Sequence, residues 1–147
     1  MKTYVNFNQA GAAEKIEMME IRTTVILSTE RSGGKLTIIE DEVSVGAASP
    51  MYTCNCEDKV ILVNEGKFII RANGEQYMAE KGCSIFIRKG IMHNLKNVGT
   101  VTGKLLITLT LGKHEQFLKG FSQSVKVFGQ KNELMEKVAR RYDVVMA

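Results

Sequence analysis

The chain has 147 residues, a net charge of +4, 44% hydrophobic and 24% charged residues, which fits one soluble globular domain with a core of its own. No stretch approaches the ~20 apolar residues that span a bilayer, and the N-terminal MKTYVNFNQA lacks a signal peptide's apolar block, so a cytoplasmic protein is expected. Three cysteines are too few for a disulfide framework, and the absence of Trp, with Lys and Arg scattered among Asp and Glu, argues against nucleic-acid binding.

In chain order, Asn8 to Met19 has no clear period and reads as a lead-in. From residue 22 to 112 the pattern is short strands separated by turn residues. Strands are predicted at Thr23 to Leu27, Lys35 to Glu40, Val60 to Val63, Lys67 to Arg71, Ser84 to Ile87 and Lys104 to Leu111. Ser32-Gly33-Gly34, Glu65-Gly66, Lys81-Gly82, Lys89-Gly90 and Val98-Gly99 punctuate them. Asn73-Gly74 is a hairpin signal, because both residues tolerate positive φ. Many short strands with glycine turns predict an all-β sandwich or barrel. The period then changes. His114 to Phe121 and Glu133 to Tyr142 carry apolar residues at helical spacing, with Asn132 as an N-cap. The basic residues Lys137, Arg140 and Arg141 alternate with Glu133, Glu136 and Asp143, as on a solvated helix face.

Two stretches keep fixed intervals. The first runs Gly46, five residues, Tyr52, Thr53, Cys54, four residues, Lys59, six residues, Gly66. The second runs Gly82, five residues, Arg88, Lys89, Gly90, two residues, His93, three residues, Asn97. These spacings resemble the two cupin motifs. The family usually has His at the positions of Tyr52 and Cys54, Glu at that of Lys59 and Pro at that of Arg88, followed by Gly, His and Asn. Of the four usual ligands only His93 remains. The segments Leu27 to Gly34 and Leu36 to Glu40, and the close Arg140-Arg141-Tyr142-Asp143-Val144, resemble the small quercetin-dioxygenase-like cupins. The resemblance implies a cupin-type double-stranded β-helix, the RmlC-like jelly-roll barrel, over about 22–112. C-terminal helical segments follow over about 114–145, and the chain is expected to dimerise. The apolar stripe Leu134, Val138 and Tyr142 gives a homodimer a surface to use.

Alternate residues of a strand share a face, so Tyr52, Cys54 and Cys56 point together if the strand stays regular. Lys59 then joins the face of Ile61, and Gly90 turns His93 toward the same centre. A pocket is expected around Tyr52, Cys54, Lys59 and His93, walled by Ile61, Phe86 and Met92. Three readings stay open. The first is a small-molecule-binding protein with no cofactor, Lys59 favouring an anionic or carbonyl ligand. The second is a metal-free isomerase- or lyase-like enzyme using Tyr52, Lys59 and His93, which needs the Lys59 amine freed by burial. The third is a metal-dependent oxidoreductase or dioxygenase variant, with Cys54, Cys56 and His93 around zinc or a similar divalent ion. Whether the chain is an enzyme is left open by its sequence.

Overall fold

The structure is a computed structural model that describes residues 5–110, 120 and 144–146. Its strands are β1 (Lys15–Met18), β2 (Ile21–Leu27), β3 (Leu36–Val43), β4 (Tyr52–Cys54), β5 (Lys59–Glu65), β6 (Lys67–Ala72), β7 (Glu75–Glu80), β8 (Ser84–Ile87), β9 (Met92–Asn97), β10 (Gly103–Thr110) and β11 (Val144–Met146). They form two antiparallel sheets, ordered β1-β2-β3-β10-β5-β8 and β11-β4-β9-β6-β7. The sheets face each other as the halves of a jelly-roll barrel. The helices expected within 114–142, and the apolar stripe proposed for dimerisation, lie outside the described residues. Val144 and Val145 depart from the helical expectation: they belong to β11, paired with β4. No helix among the described residues is long and apolar enough to cross a membrane.

Period-two alternation explains the core. In β10 the side Gly103, Leu105, Ile107 and Leu109 is buried, while the intervening residues are less so. Facing them from the second sheet are Phe68 and Ile70 of β6 and Leu95 of β9, all buried. The β6–β7 hairpin closes with Asn73 at φ 52° and Gly74 at φ 79°, joining Ala72 to its partner Glu75. Two successive positive φ values match a type I′ turn, the one whose twist suits paired strands.

Gly103 has a different reason to be glycine. The Phe68 ring is fully buried beneath it, and a Cβ at Gly103 would sit 2.3 Å from Phe68 Cζ and 2.6 Å from Cε2. One end of β10 therefore lies directly on the ring. Gly103→Ala is expected to cost about 1–3 kcal/mol through overpacking. A circular dichroism melt reads this, and an unchanged midpoint would mean the ring moves aside freely.

Candidate functional site

Three polar side chains meet inside the barrel. Tyr52 and His93 are cross-strand partners on β4 and β9, so their rings project to the same face, with centroids 4.9 Å apart. Lys59 comes from the opposite sheet, at the start of β5, and is only 3% exposed. Its Nζ lies 2.8 Å from Tyr52 Oη and 2.8 Å from His93 Nε2. The contact thus ties the two sheets together through one ammonium. The Gly90 turn sets His93 in place. Its φ of 86° is open to glycine, its N–H donates to the Cys54 carbonyl at 2.8 Å, and Asp58 Oδ1 accepts the neighbouring Lys89 N–H at 2.9 Å.

The hydrogen bonds fix the protons. The Ile91 carbonyl, 2.9 Å from His93 Nδ1, can only accept, so Nδ1 carries the imidazole proton. His93 Nε2 then holds a lone pair and accepts from Lys59. Burial, then the Lys59 charge, pushes the His93 pKa down to about 3, against the opposing Ile91 bond. Burial pushes the Tyr52 phenol up to about 12, although Lys59 pulls the other way. The Cys54 thiol is raised as well, chiefly by burial. For Lys59, burial favours the free amine; the charges that Tyr52 and Cys54 carry when ionised, the Tyr52 hydrogen bond and Asp41 oppose it, and the net direction is upward. With the phenol and thiol protonated, the Tyr52 hydrogen bond and the Asp41 carboxylate are the groups that hold the ammonium. At neutral pH the cluster is therefore an ammonium, a phenol and a neutral imidazole.

Asp41 was not singled out by the sequence. It is 8% exposed, on the interior side of β3, and accepts from Thr23 Oγ1 at 2.5 Å. Burial raises its pKa to about 6, while Thr23 and Lys59 lower it. Its signal was its phase: Thr37, Ile39, Asp41 and Val43 alternate into the core.

Residues 40–109 match the family model of the Cupin domain. The tetracenomycin polyketide synthase protein TcmJ of Streptomyces glaucescens is 25% identical over 114 residues, covering 68% of this chain and 73% of that protein. Among solved structures, KdgF from a Halomonas species superposes with a TM-score of 0.67 at 13% identity, over 76% of this chain and 99% of that one. The polyketide cyclase RemF from Streptomyces resistomycificus gives 0.64 at 17% identity, over 74% and 80%. The fold is the cupin fold.

Tyr52, Cys54, Lys59 and His93 stand where the resemblance to the cupin motifs leads one to expect ligands, and the donors they offer do not suit a divalent metal. The one lone pair in ligating form, His93 Nε2, already accepts from an ammonium, whose charge repels a cation. The phenol and thiol are both held protonated. The zinc alternative loses its geometry too. The regular strand ends at Cys54, and Cys56 lies exposed in the bend that follows, whereas Cys54 and His93 are buried. Among the described residues, no three His, Cys, Asp or Glu side chains gather to hold a metal ion.

The remaining expected wall residues divide. Ile61 is fully buried on the Lys59 face of β5. Phe86 and Met92 are not interior: they are 62% and 38% exposed, because each falls on the outward phase of its strand. Phe86 instead lines a cleft of about 690 Å³ with Ile70, Tyr77, Ile87, Arg88 and Ile91. The cleft lies between β7 and β8, which are edge strands of the two sheets among the described residues.

Proposed function

We propose that this chain is a small-molecule-binding cupin whose site is organised by the Lys59 ammonium in place of the family's metal, with no cofactor. The carrying observation is the position of Lys59 Nζ, 2.8 Å from both Tyr52 Oη and His93 Nε2. An ammonium has three N–H donors. Two have acceptors among the described residues, so one remains for a carbonyl, enolate or carboxylate oxygen. A buried, pre-positioned cation is a strong partner for such an oxygen, because little water competes for it. Elemental analysis of untagged protein is expected to find well under one equivalent of iron, manganese, nickel or zinc. Benzoate is expected to bind and to shift the His93 ring resonances, and Lys59→Gln is expected to abolish that shift. One equivalent of metal, or benzoate binding indifferent to Lys59, would overturn the reading.

The likeness to TcmJ, described as a polyketide synthase protein, favours a second, enzymatic reading. In it Lys59 stabilises the oxygen of an enolate, solvent water takes the α-proton, and the Tyr52 phenol returns a proton to the carbon and is reprotonated from water, as in an isomerase- or lyase-like step. Lys59 serves as the fixed cation here and not as the base, since its surroundings hold it protonated. Under this reading wild-type protein accelerates α-proton exchange of acetophenone in D2O, and Tyr52→Phe removes the acceleration while benzoate still binds.

A further inference from the structure

The cleft between β7 and β8 leads toward this site. Its inner wall includes Ile87, the cross-strand partner of Lys59, and Ala72, the partner of His93. Such partners have Cβ atoms about 4.5–5.5 Å apart, so the inner wall of the cleft stands beside the strand positions that carry Lys59 and His93. Ile91 also belongs to the wall, and its carbonyl holds the His93 proton. Ile87, Ala72 and Ile91 of the wall thus adjoin the residues of the cluster.

Its chemistry is one-sided. Ile70, Ile87 and Ile91 line the inside, while Tyr77 and Phe86, 43% and 62% exposed, stand at the mouth. Arg88 also lines the mouth, and no Asp or Glu contributes to the wall among the described residues. A volume of about 690 Å³ is within the range of sites that take drug-sized ligands. Exposed aromatic side chains on two sheet edges, with an inner wall whose strand partners are Lys59 and His93, suit a guest that is apolar along its length and oxygen-bearing at one end.

We infer that the ligand is a flat or elongated apolar acid or ketone of at least bicyclic size. Its oxygen end meets Lys59, and its apolar body lies in the β7–β8 cleft between Tyr77 and Phe86. This inference rests on the proposed Lys59 site and adds the ligand's shape and its way in. A small oxyanion would use Lys59 alone, whereas a larger aryl acid would use both Lys59 and the cleft.

The test compares 2-naphthoate with benzoate by isothermal titration calorimetry on the full chain. Wild-type protein is expected to bind 2-naphthoate at least tenfold more tightly. The double variant Tyr77→Ser/Phe86→Ala changes two exposed side chains and is expected to lose most of that preference while benzoate affinity stays level. Lys59→Gln is expected to weaken both ligands, with circular dichroism confirming that it is folded. Arg88→Gln, also at an exposed position, is expected to weaken both acids two- to fivefold by removing a cation near the path. Equal affinity for the two acids, or a double variant that keeps the preference, overturns the cleft assignment and leaves the Lys59 site standing. Binding of neither acid overturns the proposed site itself. Preference retained in the double variant but lost on enlarging Met92, on the outer face of β9, would place the guest elsewhere and also overturn the inference.

Discussion

Asn97→Leu should be among the most destabilising single substitutions in the barrel. Asn97 is fully buried at the end of β9. Its Nδ2 donates to the carbonyls of Val43 and Val101, each at 2.9 Å, and its Oδ1 accepts the Gly99 N–H at 2.9 Å. One side chain thus pins β3 of one sheet, β9 of the other and the turn leading into β10. Leucine has nearly the same size, so little cavity forms, but two carbonyls and an amide lose their partner. Each buried group left unsatisfied costs about 1–3 kcal/mol. A loss of about 3 kcal/mol or more is expected, which for a domain of this length lowers the melting midpoint by about 10 °C. Asn94 is the control. It is half-buried and makes one longer bond, 3.3 Å to the Ser49 carbonyl. Asn94→Ala should move the midpoint by only a few degrees. Equal effects of the two substitutions would show that the Asn97 bonds carry no special weight.

The strands read most easily from the sequence were those with an apolar inner face. Ser84–Ile87 falls where its residues predict, β6 runs one residue further than expected, and β10 starts one residue earlier, its expected end at Leu111 lying outside the described residues. Besides β11, which was expected to be helical, three strands were missed for specific reasons. In β7 only Ala79 is buried, because an edge strand at an open cleft has little core to face. In β9 two of the three inward residues are His93 and Asn97, so alternation of polarity disappears although alternation of burial is complete. β1 has one buried residue, Ile16, in four. The candidate site was legible by spacing: the intervals around Tyr52, Lys59 and His93 bring three side chains from two sheets into contact. What spacing could not show was where the phase breaks. Cys56 follows the end of β4 and leaves the common face. It also could not show the charge state, which depends on Tyr52 and His93 both offering lone pairs to Lys59, nor the buried Asp41 in the same interior.

These protonation states have a measurable consequence in acid. The His93 pKa falls from its ordinary 6.5 to about 3 in the folded chain, so between those values the unfolded chain binds more protons and stability rises with pH. Asp41 acts in the opposite sense. Its pKa rises from 3.8 to about 6, so the folded chain binds more protons in that window and stability falls as pH rises through it. At 1.36 kcal/mol per pKa unit, the His93 contribution is about 5 kcal/mol and the Asp41 cost about 3 kcal/mol, each fully expressed above its window. Between pH 4 and 6 the two slopes oppose each other. Asp41→Asn keeps an acceptor for Thr23 Oγ1 and removes only the titrating group. The stability of wild-type relative to Asp41→Asn protein, from urea denaturation, is therefore expected to fall by about 2 kcal/mol from pH 4 to pH 6, the rest of the change lying outside that range. The variant itself should become steadily more stable up to about pH 6.5. In parallel, nitrogen NMR should find the His93 ring neutral, with its proton on Nδ1, at pH 5. Protonating Nε2 would require it to give up the Lys59 hydrogen bond and place two cations side by side inside the barrel. A His93 ring that titrates near 6.5 in the folded protein would remove the ammonium from its partner, and a constant difference between the two proteins would remove Asp41 from the balance.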